Sequence, residues 1–340
     1  MRYRQLTPEI QVSEVGFGNW TVTTGWWGTY SEDEAIALHR AAFEAGITFF
    51  DTADAYAEGY GEQVLGRALA DVRNEVVIAT KFGYDISDES TASRRGQQER
   101  AKDFSLDAVR AALDASLSRL GVDHIDLWQL HNPRMPHIDD DGLFELLEEA
   151  VTSGKIRSYG VALGPKIGWL EEGLHAMSTR RIPAMQMIYN LLEQEPGREL
   201  LATARETGTR MAVRVPHSSG MLEGNLTADT VFPKHDHRRH RPRSWLLEGV
   251  QKVATLDFLL EGEGGAPRRT LGQAALRWVL ADEQVATTLP NIYGREQILE
   301  FAGASDVADL TDDELRRVRH LYDDNFGVSP VTDQVTKVNA

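Results

Sequence analysis

Two periodicities alternate along this chain. Short apolar runs that stop at a polar residue are separated by longer stretches whose apolar positions recur at helical spacing. ITFFD, EVVIATK, IDLWQLH, IRSYGVAL, PAMQMIYN, TRMAVRV and VATTLP read as strands, as does an earlier piece ending at Gly16-Phe17-Gly18. Between them SEDEAIALHRAAFEAG, GEQVLGRALADV, SLDAVRAALDASLSRLG, DGLFELLEEAVTSGK, GWLEEGLHAM, GRELLATARETG and TLGQAALRWVLADE read as helices. The first helix opens on a capping box, Ser31 with Glu34, and stops at Gly46. The alternation predicts a parallel sheet, and eight βα units around one core predict a (β/α)8 TIM barrel rather than an open doubly wound sheet.

Three pieces fall outside this rhythm. RYRQLTPEIQVSE reads as an N-terminal hairpin turning at Thr7-Pro8-Glu9. Between Val215 and Thr270 lies a long insertion containing PKHDHRRHRPR and a predicted helix, SWLLEGVQKVATLDFLL. LTDDELRRVRHLYDD is a further helix capped by Thr311 with Glu314, expected to pack outside the barrel. With no linker, repeat or low-complexity segment, residues 1–340 read as one domain.

Composition narrows the function classes. The chain has no Cys, so disulfides, zinc-thiolate sites and thiol nucleophiles are excluded. Its formal charge of -16 repels nucleic acid and anionic membranes, while an anionic ligand can still bind in a locally basic pocket. No apolar run approaches the length of a membrane span, and MRYRQLTPEI lacks the apolar centre of a signal peptide. A soluble cytoplasmic protein is expected; nothing specifies an oligomeric state.

The chemistry gathers around FFDTADAY. In a barrel of this kind the reactive side chains collect at the C-terminal ends of the strands. Asp51, Lys81 and His131 each end a predicted strand, and Tyr56 follows one closely. Together they suit proton delivery to a carbonyl oxygen during hydride transfer. A phenol titrates near about 10, so it is a poor acid at neutral pH until a buried ammonium beside it favours the phenolate. Lys81 would supply that ammonium, Asp51 its counter-charge, and His131 a hydrogen bond to the substrate carbonyl. Trp20, Trp26 and Trp27, close together in one loop, are expected to line a pocket. The Gly16-Phe17-Gly18 stretch does not make a Rossmann fingerprint, because Thr21 stands where a third glycine is needed and no helix is expected to begin there.

These motifs resemble the aldo-keto reductase family over nearly the whole chain, from GFGNW through FFDTADAY, GEQVLG, ATKFG, DLWQLH, GKIRSYGV, MQMIYNLLEQ and RVPHSSGMLEG to LPNIYGREQILE. Asp51, Tyr56, Lys81 and His131 match the family's catalytic tetrad in order and context. The resemblance implies a barrel that binds NADP(H) without a Rossmann fold, with NAD(H) left open, and that reduces an aldehyde or ketone or oxidises the matching alcohol. Tyr56 would be general acid in reduction and general base in oxidation. The implied cofactor-binding positions are Gly18, Asn19, Trp20, Asp51, Gln186, Arg214, Pro216, Ser218, Gly220, Leu222, Asn291, Arg295 and Gln297. Trp27, Tyr56 and His131 would meet the substrate.

Several positions depart from the family pattern. Ala162 and Leu163 stand where many members carry Ser and Asn to hold the nicotinamide carboxamide, which leaves Gln186 as the third donor. Arg214 replaces an aromatic ring that relatives often stack on the nicotinamide, and a planar guanidinium can stack similarly. Asn291, Ile292, Tyr293 and Phe301 depart from the usual 2'-phosphate and adenine pattern, with Arg295 and Gln297 remaining as candidates. Part of Arg238–Arg243 is expected to approach the cofactor pyrophosphate; the alternative is a solvated loop. The arginines among His235, His237 and His240 oppose a cation, so no metal site is assigned. Two other classes stay open: a cofactor-binding regulatory subunit resembling channel β-subunits, with little turnover, and an aldolase-type barrel with a Schiff base on Lys81.

Overall fold

The computed structural model describes residues 1–87, 99–164, 169–234, 236–262 and 267–331. It begins with an antiparallel hairpin, β1 (Tyr3–Thr7) and β2 (Ile10–Ser13). Eight strands follow: β3 (Phe17–Gly18), β4 (Phe49–Asp51), β5 (Val77–Phe82), β6 (Ile125–His131), β7 (Ile156–Ala162), β8 (Ala184–Ile188), β9 (Arg210–Arg214) and β10 (Val285–Leu289). They pair in parallel and in sequence order. The sheet closes through a parallel bridge between Val15 and Thr288, where the Gly16 amide donates to the Thr288 carbonyl at 2.8 Å and the Thr288 amide donates to the Glu14 carbonyl at 2.9 Å. Helices lie between the strands, so the fold is the expected (β/α)8 barrel.

Burial explains the continuous apolar runs. Every residue of β5 and β6 is buried, because the barrel interior covers one face and helices the other. The hairpin plugs the lower end: Leu6, Ile10 and Val12 pack with Phe49, Val77 and Leu127 in one buried cluster. The lower interior is thereby filled. The polar residues Asp51, Lys81, Gln129, His131, Gln186 and Arg214 fall instead toward the C-terminal ends of their strands, at the open end.

The capping boxes form as expected at Ser31 with Glu34, ahead of helix Glu32–Glu44, and at Thr311 with Glu314, ahead of helix Asp312–Asp323. Gly66, in helix Tyr60–Leu69, marks a close approach: a Cβ there would stand 2.2 Å from the Leu120 carbonyl oxygen, the C-terminal end of the neighbouring helix Leu106–Leu120. Only a residue without a side chain fits.

Two expectations are corrected. β5 runs one residue past Lys81, with Phe82 pairing to Leu130. A short helix does follow Gly16-Phe17-Gly18: Trp20–Thr23 forms one turn, held by the Asn19 carbonyl accepting from the Val22 and Thr23 amides. Helix Asp312–Asp323 lies outside the barrel as expected, and Tyr322 from its last turn reaches the cavity described below. The insertion forms a short turn, His237–His240, and a helix, Arg243–Ala254. No helix among the described residues is long and apolar enough to cross a membrane. No group of three metal-type ligands is found among them either, and His235 lies outside them.

Candidate active site

The floor of the barrel mouth is a charged knot around Lys81. Its side chain has 0% exposure. Nζ donates to Asp51 Oδ1 at 2.6 Å, to the Thr52 carbonyl at 2.7 Å and to the Tyr56 hydroxyl at 3.2 Å. An ammonium has three protons, and here each has an acceptor. Burial works against the charge of Lys81, but the charges and hydrogen bonds of Asp51 and Tyr56 outweigh it, and its pKa is raised. A raised pKa and the absence of Lys81 from the cavity wall both oppose a Schiff base, which needs a neutral amine that substrate can reach.

Asp51 is shared. While Oδ1 faces Lys81, Oδ2 accepts from the Gln186 side chain at 2.9 Å and from Gln129 at 3.4 Å. Gln186 therefore spends its amino group on Asp51. Gln129 was not singled out from the sequence, although it stands two residues before His131 and so on the same face of β6.

Across the floor, His131 ends β6. Its ring centre lies 6.2 Å from that of Tyr56 and 4.8 Å from that of Tyr84, edge-on in both cases. Burial, then the charges of Lys81, Arg214 and Lys102, hold its pKa well below the ordinary value. His131 is therefore neutral at physiological pH. Tyr84 is another residue the sequence reading missed: its hydroxyl accepts from Asn132 at 2.6 Å and donates to Glu99 at 2.7 Å, which fixes the ring against His131. No local pattern marks it, since Glu99 and Asn132 are distant in sequence.

Arg214 ends β9 deep in the protein, with its exposed part facing the cavity. Its guanidinium donates to the Leu163 carbonyl, and Nε has no hydrogen-bond partner among the described residues.

A cavity of about 580 Å³ opens above this floor. Gly18, Trp20, Trp27, Asp51, Tyr56, His131, Gln186, Arg214 and Asn291 line it, with Lys81 directly behind Asp51 and Tyr56. Trp169 and Glu193, which sequence reasoning passed over, also line it. Asn19, Pro216, Ser218, Gly220, Leu222, Arg295 and Gln297 lie outside the lining. The Asn19 amide is bonded to the Gly61 carbonyl at 2.7 Å, and the Ser218 hydroxyl to Glu193 at 3.2 Å. Phe301 has 0% exposure and packs against the His217 ring at a tilt, so it belongs to the core.

The insertion crosses to the tryptophan loop. The His237 amide donates to the Trp26 carbonyl at 3.0 Å, its ring meets Trp20 at 5.7 Å, and the Arg238 guanidinium lies 4.2 Å from the centre of the Trp27 ring. Arg238 is also paired with Asp236 at 2.6 Å. Arg241 does reach the cavity, where it bonds the Ser219 hydroxyl at 3.2 Å and lies 3.8 Å from Glu193.

The chain is similar to known proteins along most of its length. The Aldo/keto reductase family model matches residues 14–323. YhdN, an aldo-keto reductase of Bacillus subtilis, is 30% identical over 80% of this chain and 78% of its own. The NADH-specific methylglyoxal reductase of Escherichia coli is 28% identical, covering 93% and 96% of the two chains. An aldo-keto reductase of Schizosaccharomyces pombe named for NADP(+) is 28% identical, covering 92% and 89%. The solved holo structure of aldo-keto reductase AKR11C1 from Bacillus halodurans superimposes with a TM-score of 0.73 at 27% identity, covering 98% and 99%. A barrel of this form, with these relatives along its length, belongs to the aldo/keto reductase family of NAD(P)H-dependent oxidoreductases.

Proposed function

We propose that the chain is one catalytic domain that reduces a small aldehyde or ketone, or oxidises the matching alcohol, with Tyr56 as proton donor and acceptor. The observation that carries this reading is the Tyr56 hydroxyl held 3.2 Å from a fully buried ammonium while its ring opens on a cavity that His131 also lines. The nicotinamide, when bound, supplies or takes the hydride. Tyr56 gives its proton to the carbonyl oxygen, and Lys81 stabilises the phenolate that remains. Asp51, braced by Gln129 and Gln186, keeps the ammonium charged. His131, uncharged, donates a hydrogen bond that orients the carbonyl.

The residues present fit a nicotinamide cofactor. Among the described residues the cavity lining offers two unpartnered polar atoms, His131 Nδ1 and Arg214 Nε, in a space large enough for a ring and a small carbonyl compound. With Ala162 at the end of β7 and Leu163 just after it offering no polar side chain, Gln186 would present its oxygen to the carboxamide amino group. NADP(H) is the proposed cofactor and NAD(H) its competitor: the two named relatives above point in opposite directions, and Asn291 in the cavity carries no charge to attract a 2'-phosphate. Cofactor consumption across a panel of aldehydes and ketones, with NADPH and with NADH, beside the Tyr56→Phe variant, tests the reading. Activity that survives Tyr56→Phe would refute the assigned acid, and cofactor binding without turnover would favour a regulatory subunit.

A further inference from the structure

The charges on the cavity floor do not balance. Lys81 and Asp51 neutralise each other at 2.6 Å, and His131 is uncharged. Higher on the wall, Glu193 faces Arg241 at 3.8 Å, and Glu195 lies 4.0 Å from Arg198. Arg214 has no carboxylate within ion-pair distance among the described residues, only the Leu163 carbonyl. One uncompensated positive charge therefore sits at the end of β9, facing the cavity beside Tyr56 and Asp51.

This matters because the two redox states of a nicotinamide differ in charge. The reduced ring is neutral; loss of hydride leaves a cation. We propose that Arg214 makes the site discriminate between them, holding the reduced cofactor in preference to the oxidised one. The inference rests on the reading of the cavity as the nicotinamide site. An aromatic ring at this position would present an electron-rich face to the cationic ring, whereas a guanidinium presents like charge. The site would thus load reduced cofactor and release oxidised cofactor readily, a bias suited to a reductase.

Dissociation constants for NADPH, NADP+, NADH and NAD+, measured by quenching of protein fluorescence on the full chain, test it without any substrate. The ratio of oxidised to reduced constants is expected to fall at least about fivefold in Arg214→Gln, since two unit charges at contact differ by about that factor even at the dielectric of water. The fall should come mainly from tighter binding of the oxidised form. Arg214→Lys, which keeps the charge, should keep the wild-type ratio and shows that the site tolerates substitution. A ratio unchanged in Arg214→Gln overturns the proposal while leaving the oxidoreductase reading intact. Failure of the wild-type protein to bind any of the four cofactors overturns both.

Discussion

Lys81 and Asp51 form a buried ion pair, 2.6 Å long and at most 5% exposed on either side chain. Removing the cation would leave a buried carboxylate supported only by two amides, so Lys81→Met should cost roughly 3–5 kcal/mol of stability as well as activity. Tyr56→Phe removes a hydroxyl that accepts one hydrogen bond, and should lower kcat by about 10²–10⁴ with little change in melting temperature. Calorimetry beside steady-state kinetics separates the two, and equal melting points for both variants would contradict the arrangement.

His131 stays neutral because burial and three nearby cations oppose its protonation. Its ring resonances should therefore not titrate between about pH 5.5 and 8 in an NMR experiment, where an ordinary histidine would. Any acid limb in the pH–rate profile over that range belongs to another group. A midpoint near 6.5 for His131 would show that the floor is wetter or less cationic than described.

In the loop after β4, Asp54 is buried near Glu62, which accepts from Thr80 at 2.6 Å and from Arg119 at 2.6 Å. Burial, with Glu62 adding to it, pushes Asp54 up from 3.8 to about 8. Between those values the folded protein holds a proton that the unfolded chain has lost, so wild-type stability falls as pH rises, by up to roughly 1.4 kcal/mol per unit. Below and above that window the contribution is flat. Asp54→Asn cannot ionise and should lack this slope, which denaturant melts at pH 5 and pH 8 would reveal as a smaller loss in the variant.

Gly66→Ala should destabilise by about 1–3 kcal/mol, because the new methyl would meet backbone rather than a side chain that can turn away. Denaturant midpoints read this directly. A neutral result would mean that the two helices slide apart at no cost.

The barrel and the gathering of Asp51, Tyr56, Lys81 and His131 at its mouth were legible because each depends on a short-range signal. Strand and helix periods set the order of elements, and an acid, a lysine and a histidine at strand ends become neighbours once that order is known. Gln129 and Tyr84 were not legible in this way. Gln129 matters only because Asp51 has a second oxygen to satisfy, and Tyr84 only because Glu99 and Asn132 converge on its hydroxyl. The helical turn after Gly18 was missed because its capping group is a backbone carbonyl, which every residue carries. Arg214 was noticed as a substitution, but its lack of a counter-charge is a property of the whole floor and of no local pattern.

The bridge between Val15 and Thr288 joins residues far apart in the chain, and among the described residues β10 has no other strand partner on that side. The ring therefore cannot be completed until β10 has left the ribosome. Until then β3 and β9 both offer open edges, along with the apolar interior they will later cover. The nascent protein thus carries its greatest aggregation hazard late in synthesis, after most of the site has been translated and before the last strand seals it.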